Sequence, residues 1–147
     1  MQLNRARVLA LDLEGTLISN AMSQIPRPGL FEFLSRCHEL FPRVVMFTTV
    51  KEERFRSIAK LLVEEKVVPE WYANIEYVSW QGETKDLHFI PGVDPQDALL
   101  VDDFERYVHP GQESQWLQID YFDYPYETTD TGLSKMLAVL EEYAGDA

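Results

Sequence analysis

The sequence predicts an α/β fold, a parallel sheet with helices on both faces, and three observations predict it. Short apolar runs, such as Val8–Leu11 and residues 98–101, have the length and near-continuous hydrophobicity of strands buried on both sides. Longer segments between and after them, 30–41, 51–65 and 133–143, carry apolar residues at helical spacing. The two kinds alternate along the chain, which is the pattern of parallel strands joined by crossover helices.

Each element has its own signal. Val8–Leu11 is the first strand, and a short polar stretch follows from Ser19 to Gln24. Pro26, Arg27, Pro28 and Gly29 open the first helix, with Pro28 suited to its first turn. Leu30, Phe33, Leu34, Cys37, Leu40 and Phe41 form its buried stripe, and Pro42 ends it. Residues 43–47 read as a second buried strand stopping at Thr48 and Thr49. Phe55, Ile58, Ala59 and Leu62 mark the second helix, and 75–79 a weaker strand before the loop that holds Lys85. Residues 98–101 form a core strand ending in Asp102 and Asp103, and 115–119 a last strand. Leu133, Met136, Leu137, Leu140 and Tyr143 define the closing helix.

A chain of 147 residues without repeats or linkers is expected to form one domain, 1–147, able to bury a core. Its apolar runs are too short for a transmembrane helix, and residues 1–5 lead towards the first strand without a secretory apolar region. The single cysteine, Cys37, cannot form an internal disulfide and fits a reducing compartment, so a cytoplasmic location is expected. A net charge of −12 repels nucleic acid, which is bound by neutralising phosphates with Lys and Arg, so neither nucleic acid nor membrane is expected as a partner.

The chemistry concentrates where strands end. Asp12-Leu13-Glu14-Gly15-Thr16-Leu17 directly follows the first strand. Open α/β sheets bind ligands outside the carboxyl ends of their strands. If the strand ends meet, Asp12 can attack phosphorus and form an aspartyl-phosphate. Two anions repel, so such a site calls for a hard cation, and Mg²⁺ takes one or two carboxylates together with phosphate and water. Asp12 and Asp102 would supply the carboxylates and Glu14 its main-chain carbonyl. Thr48 and Lys85 can donate to phosphoryl oxygens, with Lys85 offsetting charge in the transition state. Glu14 can protonate the leaving oxygen and later activate water.

These residues resemble the haloacid-dehalogenase-like phosphatase superfamily: an aspartate motif after strand one, Thr or Ser after strand two, a distant Lys and an acidic motif. The closer resemblance is to the branch of NLI-interacting-factor-like domains, which contains the phosphatases of the RNA polymerase II C-terminal domain. It is carried by Arg27-Pro28-Gly29-Leu30-Phe31-Glu32-Phe33-Leu34, Val44-Val45-Met46-Phe47-Thr48-Thr49, Thr84-Lys85-Asp86-Leu87 and Leu100-Val101-Asp102-Asp103, over about residues 7 to 120. The resemblance implies a Rossmann-like domain and a Mg²⁺-dependent phosphomonoester hydrolase acting on a phosphorylated small molecule or phosphoprotein. One departure is Glu14, where the family's second aspartate usually stands. Glutamate occupies that position in the enolase-phosphatase of methionine salvage, yet a displacement of ~1 Å can cost on the order of a hundredfold in rate. A catalytically weak or inactive scaffold used for protein binding is therefore the alternative.

Plainer readings stand beside these. Asp12 and Glu14 also suit a turn, Thr48 or Thr49 a helix cap before Lys51, and Lys85 a solvated surface. Asp102 beside Asp103 implies repulsion unless a cation is near, with Asp103 suited to orienting its neighbours. Cys37 and Arg43 have the Cys-x5-Arg spacing of cysteine-dependent phosphatases, but Leu40 and Phe41 fill the interval, so Cys37 reads as a buried structural thiol. His38, His88 and His109 show no metal-ligand spacing. The aromatic strip from Tyr121 to Tyr126 suits packing of the last strand, or a partner-binding surface. The intervals where the superfamily inserts caps, 17–26 and 49–85, hold too few free residues for one, which predicts no cap domain and an open catalytic face. Trp71, Tyr72, Trp80 and the strip near Tyr121 are candidates to line that face, or else core.

Overall fold

A computed structural model describes residues 6–145; the lead-in at 1–5 and the last two positions of the expected 1–147 domain lie outside the described residues. The strands are β1 (Val8–Leu11), β2 (Arg43–Met46), β3 (Glu76–Tyr77), β4 (Ala98–Asp102) and β5 (Trp116–Gln118). The helices are α1 (Leu30–Leu40), α2 (Glu52–Glu64) and α3 (Gly132–Tyr143). The sheet order is β3-β2-β1-β4-β5 and every pairing is parallel, the Rossmann-like arrangement expected. Leu11 pairs with Met46 on one side and Val101 on the other, so the carboxyl ends of β1, β2 and β4 share one edge. Asp12, Thr48 and Asp102 stand at that edge.

Strand alternation divides the core in two. Leu9, Leu11, Met46, Leu99, Val101 and Leu117 face the side on which all three α-helices pack. Val8, Ala10, Val45, Phe47, Ala98 and Leu100 face the other. The expected helical cover therefore takes different forms on the two faces. The second face is closed by Val78, Leu87 and Ile90, from a segment whose helical pieces are 3-10 turns at Leu87–Phe89 and Pro95–Asp97. The chain leaves β3 after two paired residues, and Val78 still bonds Met46 before it crosses to that face. This is why the strand expected over 75–79 is short.

Pro28 lies before α1 rather than in its first turn, because Gly29 adopts φ 83° and a helical backbone starts only at Leu30. Phe41 is extended, as the residue before a proline prefers to be, and ends the helix ahead of Pro42. Between α2 and β3 the chain makes a 3-10 helix, Glu70–Asn74, and not a plain connection. Tyr72 is buried there and Trp71 stacks on His38 with ring centroids 4.5 Å apart, so both belong to the core and not to the catalytic face. Among the described residues no separate cap unit stands in either interval; residues 18–26 form a turn closed by a bridge between Ile18 and Pro26. No helix of the described residues is long and apolar enough to cross a membrane.

Candidate active site

β1 delivers Asp12 to the sheet edge, and the chain then turns sharply. The Leu13 carbonyl accepts from the amides of Thr16, Leu17 and Ile18, and Gly15, at φ 75°, makes the tight reversal. The reversal carries Thr16 back over Asp12. Its hydroxyl lies 2.8 Å from Asp12 Oδ2 and 3.2 Å from Asp103 Oδ1, bridging two carboxylates that end different strands. β4 delivers Asp102, whose Oδ1 accepts the Phe104 amide at 2.9 Å. Carboxylate oxygens of Asp12, Asp102 and Asp103 lie within 4.8 Å of one another, which makes this trio the one cluster among the described residues with the spacing to hold a metal ion.

Lys85 enters from the segment covering the second face. Its amide bonds the Tyr107 carbonyl and its Nζ passes 4.9 Å from the centroid of the Tyr107 ring. Nζ then donates to Asp12 Oδ1 at 2.9 Å and to Asp102 Oδ2 at 2.5 Å. Lys85 and Asp102 are fully buried and Asp12 nearly so. The solvated reading of Lys85 therefore fails. Burial alone would lower the lysine's pKa, but the two carboxylates hold it above its ordinary value, and the ammonium stays charged.

The acids respond in the opposite sense. Burial, with the Asp12 charge added and Lys85 opposing, pushes Asp102 up to about 6. Burial, then contact with Asp12 and the charge of Asp102, pushes Asp103 up to about 7. Crowded carboxylates with raised pKa values are the environment in which a divalent cation displaces protons, and an all-oxygen donor set suits Mg²⁺. The residues present thus fit the metal, and Asp12, Asp102 and Asp103 are the ones that could hold it. Asp103 is half-buried beside the other two acids and shares the Thr16 hydroxyl with Asp12.

Two further residues expected at the site make local contacts of their own. Glu14 turns its carboxylate to the 18–26 turn, where Oε2 accepts the Ala21 amide at 2.6 Å; it is not part of the acidic trio. Thr48 is buried at the end of β2, its hydroxyl accepting the Val50 amide at 3.1 Å and its carbonyl accepting Trp80 Nε1 at 2.8 Å. It shares the sheet edge with Asp12, and its hydroxyl closes a local turn onto Val50 rather than capping α2, whose N-cap residue is Lys51. A groove of about 480 Å³, lined by Thr48, Lys51, Tyr77, Trp80 and Gly82 among others, opens beside it. A second, of about 670 Å³, runs along Glu83, Thr84, Phe104, Arg106 and Tyr107. Trp80 lines both grooves and also packs against the core of the second face.

Sequence reasoning assigned no role to Thr16, Tyr107 or Arg27. Thr16 was legible within the first motif, because a hydroxyl two residues beyond a second acid can fold back on the first. Tyr107 carried no signal, since only the bridge between Lys85 and Val108 brings it to the lysine. Cys37 is buried and burial pushes its thiol well above the ordinary value, so it is the inert structural cysteine expected.

A parallel Rossmann-like sheet with an acidic cluster and a buried lysine at its carboxyl edge is the arrangement of a haloacid-dehalogenase-like domain. The chain belongs to the family of NLI interacting factor-like phosphatases, whose model matches residues 7–147. This is the branch that includes the phosphatases of the RNA polymerase II C-terminal domain. A comparison with curated proteins finds no match.

Proposed function

We propose that this chain is a Mg²⁺-dependent phosphomonoester hydrolase acting through a phosphorylated Asp12. The observation that carries the reading is the buried cluster in which Lys85 joins Asp12 to Asp102, with Asp103 alongside, at the carboxyl edge of β1 and β4. Asp12, Asp102 and Asp103 would hold the metal, which neutralises phosphate charge so that a carboxylate can approach. An Asp12 oxygen attacks phosphorus while the ester oxygen leaves, taking a proton from Glu14. Glu14 then accepts a proton from water, whose oxygen attacks phosphorus and releases the Asp12 carboxylate. Thr16 orients Asp12, and Lys85 counters the charge that grows on the phosphoryl oxygens. Thr48, at the end of β2, would donate its hydroxyl proton to a phosphoryl oxygen.

Substrate size follows from the absence of a cap unit among the described residues. Grooves on the β2 side of the site lie open along Trp80, Phe104 and Tyr107 and suit a phosphate carried on a protein chain. The charge of −12 disfavours nucleic acid, and a cytoplasmic enzyme is the setting in which we place it. The alternative, a scaffold with weak or no activity, draws on Glu14, whose carboxylate is taken up by the Ala21 amide.

The deciding experiment is hydrolysis of an aryl phosphate with and without Mg²⁺, with Asp12→Asn as control. Metal-dependent turnover lost in the variant supports the enzyme. No turnover by the wild-type chain, on aryl phosphate or phosphopeptides, supports the scaffold. A strong preference for a small metabolite over phosphopeptides would overturn the substrate assignment.

A further inference from the structure

An arginine is rarely buried unless its guanidinium is fully engaged. Arg27 is 1% exposed, and it and Lys85 are the two basic side chains buried among the described residues. Its partners come from both ends of the chain. Nε and Nη2 meet Asp130 Oδ1 and Oδ2 at 2.8 and 3.2 Å, a forked pair with the segment before α3. Nη1 faces the carbonyls of Thr16 and Gly15 at 3.2 and 3.4 Å. The guanidinium carbon lies 5.3 Å from the centroid of the Phe122 ring, and the Phe122 amide donates to the Gly15 carbonyl at 2.8 Å. Asp130 is held in turn by the Gly132 amide at 2.9 Å.

Gly132 shows how tightly the guanidinium is seated. It begins α3 with a helical backbone that any residue could adopt, yet a Cβ there would stand 2.1 Å from Arg27 Nη2. The space a side chain would fill is occupied by the arginine. None of these contacts reaches Asp12, Asp102 or Lys85. What Arg27 grips is the main chain of the turn that carries Asp12, Glu14 and Thr16.

We propose that Arg27 is a positioning residue: clamped by Asp130, its guanidinium holds the Gly15 and Thr16 carbonyls and so sets the turn that presents the nucleophile and the acid. Its effect on rate rests on the phosphatase reading above, whereas its hold on the turn belongs to the fold alone. The C-terminal segment is thereby a strap on the active-site turn as well as packing for the last strand.

Two single variants test it from different directions. Gly132→Ala leaves Arg27 in the chain but pushes the guanidinium aside, at a helical position outside the site. Arg27→Lys keeps the charge and loses the fork. Measured on the full chain at a temperature where both are folded, each should lower kcat on an aryl phosphate by about tenfold or more, the scale of a small misplacement of reacting groups. KM should change little, because binding groups are untouched. Amide exchange should quicken at Gly15, Thr16 and Leu17 more than within α1. Adding Gly132→Ala to Arg27→Met should cost nothing further, since the methyl then meets no guanidinium. Wild-type kcat with unaltered exchange in the turn, or exchange quickened evenly along the chain with kcat retained, would overturn the proposal. If Arg27→Lys does not fold, Gly132→Ala decides. If the wild-type chain hydrolyses nothing, the phosphatase reading fails and exchange in the turn alone decides the positioning role.

Discussion

At the scale of single residues, the proposed mechanism gives Asp12 two tasks, attack on phosphorus and metal ligation, and substitution separates it from its neighbours. Asp12→Asn keeps size and shape but cannot attack, so activity should vanish while the circular dichroism spectrum stays native; full turnover would exclude a phospho-aspartate. Asp102→Asn should instead weaken Mg²⁺ binding, with part of the activity recovered at high metal in a titration. Glu14→Gln should slow turnover far more than it raises KM, and a trapped phosphoenzyme would place the defect in the hydrolytic step. Glu14→Asp shortens the reach to the Ala21 amide, 2.6 Å away in the native chain. A faster Glu14→Asp variant would mean that the native acid is detuned, as the scaffold alternative requires. Lys85→Met leaves two buried carboxylates without their cation. Removing one partner of a buried ion pair costs about 3–5 kcal/mol, a loss that urea denaturation should register unless Mg²⁺ is added.

At the scale of elements, the turn after β1 is the part most sensitive to small changes. Gly15 combines a left-handed backbone with a close neighbour: a Cβ would stand 2.6 Å from the Tyr121 ring and 3.0 Å from Asp103 Oδ2. Gly15→Ala is expected to lose about 1–2 kcal/mol from the left-handed backbone alone, with the ring contact added. In a Tyr121→Ala background the second part should disappear and the first remain, which thermal denaturation of the single and double variants will show. Tyr121 is thus a lid on this turn even though it is more than half exposed, and Phe122 beside it is buried beneath Arg27. The aromatic strip divides accordingly: part of it packs the last strand against the active-site turn, and Tyr124 remains at the surface.

For the whole molecule, the acids set a pH profile with two opposing slopes. Asp86 is held down at about 2, against the effect of burial, by the His88 amide, Gln112, the His88 side chain and His109. Asp130 is lowered by Arg27 and the Gly132 amide, again against burial. A carboxyl with a depressed folded pKa contributes stability above its unfolded value, and that contribution is lost as pH falls from about 4 towards 2. Asp102 and Asp103 are raised, so the native state resists their ionisation while the unfolded chain does not. Stability should therefore fall as pH rises from about 4 through about 6 and about 7. Urea midpoints measured in a chelator should be highest near the bottom of that window. Asp103→Asn should flatten the upper slope, and Mg²⁺ should do the same in the wild-type chain. A rising upper slope in the chelator would contradict the crowding of the three acids.

Periodicity and strand-end chemistry determined much of this protein without a structure. Five strands, three α-helices, their parallel arrangement, and Asp12, Thr48, Lys85 and Asp102 at one sheet edge were legible, because a parallel sheet maps local sequence to position by a simple rule. Glu14 was placed on the right turn, but its side-chain direction was not readable, since it depends on an amide seven residues away in a turn of no regular period. Tertiary structure alone decided the rest. The covering of the second face by 3-10 turns, the short β3 and the position of Pro28 ahead of α1 arise where packing and a left-handed glycine override local preference. Only the turn after β1 brings the Thr16 hydroxyl to Asp103 as well as to Asp12. Arg27 found Asp130 across 103 positions of sequence, a pairing that carries no local pattern and is specified only when the two ends of the chain close on the same turn.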